Sequence, residues 1–213
     1  NNTIIGGDGT DTLTLSTGTI DLDFTNVTGI EKLTVGTVGS FTLGALAQAA
    51  GITTVTTIAG ANTISASAYT VALTVDMKAS GGASDDAATT DTVTTGSGDD
   101  IFIWDGTLGL GAADIISAGT GTDTIQLDNS AAAVTATVDL DNITSVETII
   151  TATDADGSAS GNGQAMSLTM SAVAETTVQN ITIDGSAVTD SLDDLTFTAA
   201  STANSATTFT VTG

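Results

Sequence analysis

Three nine-residue stretches carry the residue types and spacing needed to hold a metal ion. Residues 6-14, GGDGTDTLT, fit every defined position of the calcium nonapeptide G-G-x-G-x-D-x-U-x, where U is a large apolar residue. Residues 95-103, TGSGDDIFI, fit apart from Thr95, and residues 118-126, AGTGTDTIQ, fit apart from Ala118. The chemistry follows from the residue types. Gly takes positive φ and leaves carbonyls free to face an ion. The Asp in sixth place supplies a carboxylate, and the apolar residue in eighth place points inward from a short strand. Oxygen donors of this kind suit a hard cation such as Ca2+ rather than a soft metal. Stacked turns would enclose the ion between successive coils. Without it the carboxylates repel one another, so binding and folding are expected to be coupled.

Weaker units extend the pattern. Asp91 precedes Asp100 by nine residues, with Val93 in the apolar place. Asp105, Asp114 and Asp123 are also nine apart, with Ile116 and Ile125 in the apolar places of the last two. From Asp100 to Asp114 the step is fourteen, so the register breaks around Trp104-Gly111. One or a few ions in the central part are expected, rather than a long uninterrupted roll. The alternative is that GDGTD and GTGTD are ordinary hairpin turns; three near-matches weigh against it. The unit at 6-14 would need ligands from a second layer, and little precedes Gly6. Either that turn binds nothing, or the chain is a fragment whose upstream coils are missing, and the fragment is the favoured reading.

Composition agrees with cation binding and removes several other chemistries. Against 25 acidic residues stand two basic ones, Lys32 and Lys78, for a formal net charge of -23. Charge of this sign repels nucleic acid and anionic membranes. With no Cys and no His, there is no thiol nucleophile, no Ser-His-Asp triad, no zinc site of the usual ligand types and no disulfide brace. No apolar stretch approaches bilayer length, so no membrane insertion is expected, and the first residues carry no basic-then-apolar signal.

The elements that must position these turns are short strands. Thr supplies 45 of 213 residues and Gly 24, which favours strands separated by tight turns. Residues 19-35 alternate apolar and polar, with Ile20, Leu22 and Phe24 facing one way and Asp21 and Asp23 the other. Residues 41-50, FTLGALAQAA, are the clearest helical candidate, with one short helix expected near 43-50. Further strands are expected in 61-78, 134-151 and 165-213, with loops at 80-91 and 154-164. Only five Phe, one Tyr and one Trp are present, too few for a conventional sandwich, whereas a solenoid fills its narrow interior with Leu, Ile, Val and Ala. The expected fold is all-β: a parallel β-helix or β-roll solenoid with short Gly/Asp turns. Three segments are expected: 1-80, a β-solenoid with the N-terminal nonapeptide turn; 81-153, a central calcium roll; and 154-213, a Thr-rich β segment.

An internal duplication supports the solenoid. GTDTLTL at 9-15 matches GTDTIQL at 121-127, TIDLD at 19-23 matches TVDLD at 137-141, and NVTGIE at 26-31 matches NITSVE at 142-147. Three blocks in the same order point to one supersecondary unit used twice, each unable to bury its apolar face alone. Asp21/Asp23 and Asp139/Asp141 could pair as glycosidase-like acids or as extra cation ligands. Enzymes of that type line a cleft with aromatics, nearly absent here, so solvated strand faces are expected.

Through GGDGTDTLT, TGSGDDIFI and AGTGTDTIQ the chain resembles the RTX group of type I-secreted bacterial proteins. Its Thr/Ala/Gly-rich background, with NVTGIEKLTV and NITSVETIIT, is similar to calcium-dependent surface-layer (S-layer) proteins of the type that coats Gram-negative cells such as Caulobacter. The resemblance implies a right-handed parallel β-roll, export without a cleaved N-terminal signal, and calcium-triggered folding outside the cell. It places the ligand carboxylates at Asp11, Asp100 and Asp123, with Gly7, Gly9, Gly96, Gly98, Gly119 and Gly121 forming the turns; Asp105 and Asp114 join the set by their nine-residue spacing. The function expected is a non-enzymatic, calcium-dependent structural protein that self-associates into a lattice, filament or matrix, with cell-surface polysaccharide as a further partner class. The alternatives are the spacer region of a calcium-stabilised adhesin, or the RTX appendage of a secreted hydrolase whose catalytic part lies elsewhere.

Overall fold

The computed structural model describes residues 3-77, 90-105, 110, 113-128, 137-138, 142-151, 166-170, 180-184, 195-199 and 208-212. In chain order the strands are β1 (Ile4–Ile5), β2 (Thr12–Leu15), β3 (Val27–Thr28), β4 (Lys32–Val35) and β5 (Ser40–Thr42), followed by the helix α1 (Ala45–Ala50). Next come β6 (Thr54–Thr56), β7 (Thr63–Ser65), β8 (Thr74–Asp76), β9 (Thr92–Thr94), β10 (Ile101–Asp105), β11 (Ile115–Ser117) and β12 (Thr124–Asp128). The last are β13 (Thr137–Val138), β14 (Ile143–Thr144), β15 (Thr148–Thr151), β16 (Met166–Met170), β17 (Asn180–Asp184), β18 (Leu195–Ala199) and β19 (Thr208–Thr212).

Among the described residues every strand pair is parallel, and the chain winds as a β-solenoid. A nine-stranded sheet takes one strand from each coil, in the order β19-β17-β15-β12-β10-β8-β6-β4-β2. A second sheet, β14-β11-β9-β7-β5, forms the opposite wall; β13-β16-β18 and β1-β3 form two smaller sheets. Residues in register along the long sheet are 20 apart at the first coil and as many as 34 apart at Thr148 and Thr182. Strands at all three expected segments of the chain enter this one sheet.

Period-two alternation decides which side chains go inside. Leu13, Leu33, Val55, Val75, Phe102, Ile125, Ile149, Ile183 and Val211 occupy successive rungs of one inward column, and the seven from Leu33 to Ile183 are fully buried. Phe41, Ile64, Val93, Ile116 and Ile143 make the facing column from the second sheet. Each outward position flanking these columns is most often Thr: Thr12, Thr54, Thr74, Thr124, Thr148, Thr182 and Thr210 share one file. The abundance of Thr is thus the outer skin of a pleated wall, where a β-branched polar residue fits best. Phe102 and Trp104, beside the break in repeat register, are both core residues.

Two sequence expectations meet the structure differently. The helix forms at Ala45–Ala50, inside the expected interval, and ends on Gly51 at φ 106, where an L-residue is disfavoured. The alternating reading of 19-35 fails over its first part: Asp21–Phe24 is a 3-10 turn rather than a strand. Phe24 is buried while Ile20 and Leu22 are exposed, so the three do not share a face. The cause is local hydrogen bonding by the two carboxylates. Asp23 accepts from the Ile20 amide (3.0 Å) and the Thr19 hydroxyl (2.7 Å), which closes the turn. Asp21 accepts from the amides of Gly44, Leu46 and Ala47 at 2.7, 3.1 and 2.9 Å, satisfying the N-terminus of α1. Hydrogen bonding to its ionised form holds Asp23 below the usual carboxylate range.

The duplicated blocks also match in backbone conformation. Gly29 has φ 65, and its counterpart Ser145 has φ 60. A left-handed backbone costs an L-residue about 1–2 kcal/mol. Ser145→Gly is therefore expected to stabilise the protein by about 1 kcal/mol, after allowing for the freedom glycine adds to the unfolded chain. An upward shift of the urea midpoint would show it; an unchanged or lower midpoint would mean that the Ser145 side chain contributes something the backbone argument omits.

Candidate metal centre

The nonapeptide turns at 95-103 and 118-126 stack directly on one another. They form one corner of two successive coils, with Ile101 beside Thr124 at the start of β10 and β12. The Thr120 amide donates to the Gly96 carbonyl at 2.9 Å, and the Ser97 amide to the Tyr69 carbonyl of the coil before. Glycine is required at this contact. A Cβ on Gly119 would lie 1.9 Å from the Gly96 oxygen, and one on Gly96 would lie 1.9 Å from the Tyr69 oxygen.

The sixth-place aspartates serve as clamps between coils. One oxygen of Asp100 accepts from the Leu73 amide, and one oxygen of Asp123 accepts from the Asp100 amide, both at 2.8 Å. Glu147 continues the file by accepting from the Asp123 amide at 2.8 Å, and Asp99 beside it accepts from the Thr122 amide at 2.8 Å. A second file runs along the other edge of the short sheet: Asp114 accepts from the Asp91 amide at 2.9 Å, and Asp91 from the Asn62 amide at 2.6 Å. The nine-residue step from Asp91 to Asp100, or from Asp114 to Asp123, crosses one face of a coil. The step that brings like residues together is 23 residues, one full coil. Nine-residue spacing thus places Asp91 and Asp100 at opposite edges of the strand β9, and does not bring them to one site.

Burial and charge make this corner electrostatically tense. Asp100 and Asp123 at this corner are buried, as are Asp91 and Asp114 in the other file. One carboxylate oxygen each of Asp100, Asp123 and Asp11 is buried with no hydrogen-bond partner. Burial pushes the Asp100 carboxyl up, and the Leu73 amide and the nearby Thr95 hydroxyl, which itself donates to the Ala118 carbonyl at 2.9 Å, only partly offset this. Burial also pushes Asp123 up to about 6, with the charges of Asp100, Glu147 and Asp99 adding to the effect. Partnerless buried carboxylate oxygens suit a bound cation, which would supply the missing partner. Among the described residues no three acidic side chains converge on one point, so an ion held here would draw its other ligands from backbone carbonyls or water.

At the N-terminal nonapeptide, Asp11 lies at the same place in its coil as Asp123. Its amide donates to Glu31 at 2.8 Å, as the Asp123 amide does to Glu147. The Asp11 carbonyl accepts from the amides of Glu31 and Lys32, as the Asp123 carbonyl does from Glu147 and Thr148. Gly7 and Gly9 take φ 115 and 111, and Gly121 takes φ 145. Gly98 packs its backbone against Val71 and Ala72. Asp105 ends β10 opposite Asp128, and its side chain lies outside the described residues, as do Asp139, Asp141 and the acidic loops at 80-89 and 154-164. Glu31, Glu147 and Asp99 were not singled out as site residues from the sequence. The signal was present for two of them: the third duplicated block ends on glutamate in both copies.

No family model, curated protein or solved structure matches this chain. The β-solenoid fold is consistent with RTX and surface-layer proteins in general, and no match ties the chain to either family. Among the described residues, no helix is long and apolar enough to cross a membrane.

Proposed function

We propose that this chain is a calcium-dependent structural protein, a building material rather than a catalyst, that self-assembles into an extracellular surface layer, filament or matrix. The observation that carries the reading is the stacked acidic corner. There the Asp100 and Asp123 carboxylates each spend one oxygen on the backbone of the preceding coil and leave the other buried without a partner. A cation at that corner would neutralise repulsion in a chain of net charge -23 and tie adjacent coils together. Asp100 and Asp123, with Asp99 beside them, are the residues that would hold it. Because the Gly96 and Gly119 backbones are in direct contact, the ion belongs on the aspartate side of the turn. Asp11 would offer a related site at the first coil.

Calcium titration of the purified chain, following far-UV circular dichroism and particle size together, tests both halves. The expected result is a gain of β signal with growth into large ordered particles. Folding without growth would keep calcium and move the reading to an adhesin spacer or an enzyme appendage. No change in either signal would remove calcium from the account.

A further inference from the structure

The two walls of the solenoid share one backbone plan and differ in what they show to solvent. On the short sheet β14-β11-β9-β7-β5 the outward side chains stand in two files. One file runs Thr42, Ser65, Thr94, Ser117 and Thr144, each the register mate of the next. The other runs Ser40, Thr63, Thr92 and Ile115. Every member except Ile115 carries a hydroxyl. None is charged, in a chain of net charge -23. The long sheet, by contrast, interrupts its outward threonines with Lys32, Asp76, Ile103, Gln126 and Asp184.

Strand propensity does not account for the difference. It favours Thr on both walls, but Ser40, Ser65 and Ser117 belong to a residue type that strands do not select. What Ser shares with Thr is the hydroxyl. Among the described residues, no partner takes up the hydroxyls of Thr42, Thr63, Ser65, Thr94 or Ser117, whereas Thr144 turns its own to the Ile116 carbonyl at 3.3 Å. Ser40, Thr42 and Ile115 are exposed and the other members half-buried, as the middle of an open wall must be. The free hydroxyls therefore answer to whatever lies outside the wall.

Spacing and charge narrow what that is. Parallel strands stand about 4.8 Å apart, and outward residues of one strand about 6.6 Å apart. Such an array has no single centre for a small molecule, and it matches best a partner that repeats as it does. A sugar polymer repeats, but its rings are held by aromatic stacking, and Phe24, Phe41, Tyr69, Phe102 and Trp104 are all buried. Nucleic acid and anionic membrane are repelled by the charge of the chain. An uncharged array on an acidic chain fits an uncharged lattice. Both spacings fall within about a tenth of the oxygen repeats on a prism face of hexagonal ice. We propose that the outer face of the short sheet binds ice. Its hydroxyls would stand in for lattice waters as donors and acceptors, while the threonine methyls and Ile115 fill the space between them. Each contact is weak, and the ranks hold by acting together. This inference goes beyond the proposed function and uses neither calcium at the acidic corner nor self-assembly.

Slow freezing tests it. Ice is grown from a solution of the folded chain on a cold finger, and protein in the ice is compared with protein left in the liquid. Crystal shape and the gap between melting and freezing points are read on the same samples. The expected result is several-fold enrichment in ice over an acidic control protein of similar charge, with faceted crystals. Thr94→Tyr, central in its file, should lower enrichment to the control level with the circular dichroism spectrum unchanged, since tyrosine is itself favoured in strands. Thr56→Tyr on the long wall should leave enrichment intact. Ser65→Thr keeps the hydroxyl, adds a methyl and should keep or raise it. Exclusion of the parent chain from ice would overturn the proposal, as would equal losses from Thr94→Tyr and Thr56→Tyr. Retention on cellulose or chitin without enrichment in ice would overturn it in favour of a glycan-binding face. None of these outcomes bears on the calcium titration, so the two readings stand or fall separately.

Discussion

Gly119→Ala is expected to cost more than about 3 kcal/mol, a large share of the roughly 5–15 kcal/mol that stabilises a folded domain. Two effects combine at this position. The backbone has φ 92, and the new Cβ would lie 1.9 Å from the Gly96 carbonyl oxygen. The first effect alone is worth about 1–2 kcal/mol. The second forces two stacked coils apart where the Thr120 amide meets Gly96 and the Asp100 and Asp123 clamps must stay aligned. Gly7→Ala separates the two contributions. Gly7 has φ 115 with no atom within 4 Å of its would-be Cβ, so it should show only the conformational cost. Urea unfolding of the two variants measures the difference. Equal losses would mean that the coils do not approach closely at the 96/119 turn.

Asp123→Asn is expected to act in opposite directions with and without calcium. Asparagine keeps an oxygen for the Asp100 amide and removes the charge that Asp100, Glu147 and Asp99 oppose. In chelator at neutral pH the variant should be more stable than the parent by about 1–2 kcal/mol. With saturating calcium the parent should gain about 3 kcal/mol at a hundredfold excess over Kd, and the variant should lose most of that gain. The parent's pH dependence follows from the same carboxyl. Its value is about 6 in the folded state against an ordinary 3.8, so between those values the folded protein binds a proton that the unfolded chain releases. Stability from this group therefore rises as pH falls from 7 through 6 towards 4, and is lost again as pH rises through 6. Thermal melts in chelator from pH 7 to pH 5 should move upward for the parent and by less for Asp123→Asn, which keeps the raised carboxyl of Asp100. A variant that is destabilised in chelator, or that keeps the full calcium shift, would show that Asp123 acts only as a backbone clamp.

Both predictions depend on a corner whose parts were visible in the sequence and whose arrangement was not. The turn glycines and sixth-place aspartates could be read directly, because a tight turn needs Gly and an oxygen ligand needs a carboxylate wherever the chain goes. The strands in 165-213 and the helix at Ala45–Ala50 were legible for a similar reason: period-two alternation and an alanine-rich run are local signals. The turn at Asp21–Phe24 was misread, since the local alternation there gave no sign that Asp21 would cap a helix 23 to 26 residues away.

By itself the sequence determined an acidic, cysteine-free parallel solenoid walled in threonine, with a coil unit used twice. Its alternation, turn residues and duplicated blocks are properties of short segments, and short segments are what one-dimensional order can encode. Only the tertiary structure decided which aspartates share a corner. The length of a coil is set by excursions outside the repeat, so residues 23 apart meet while residues nine apart stand at opposite edges of a strand. It also decided that the aspartates hold backbone amides of the neighbouring coil, leaving one buried oxygen each on Asp100 and Asp123. Hydrogen bonds between coils depend on the register of stacking, and register exists only once the chain has closed on itself.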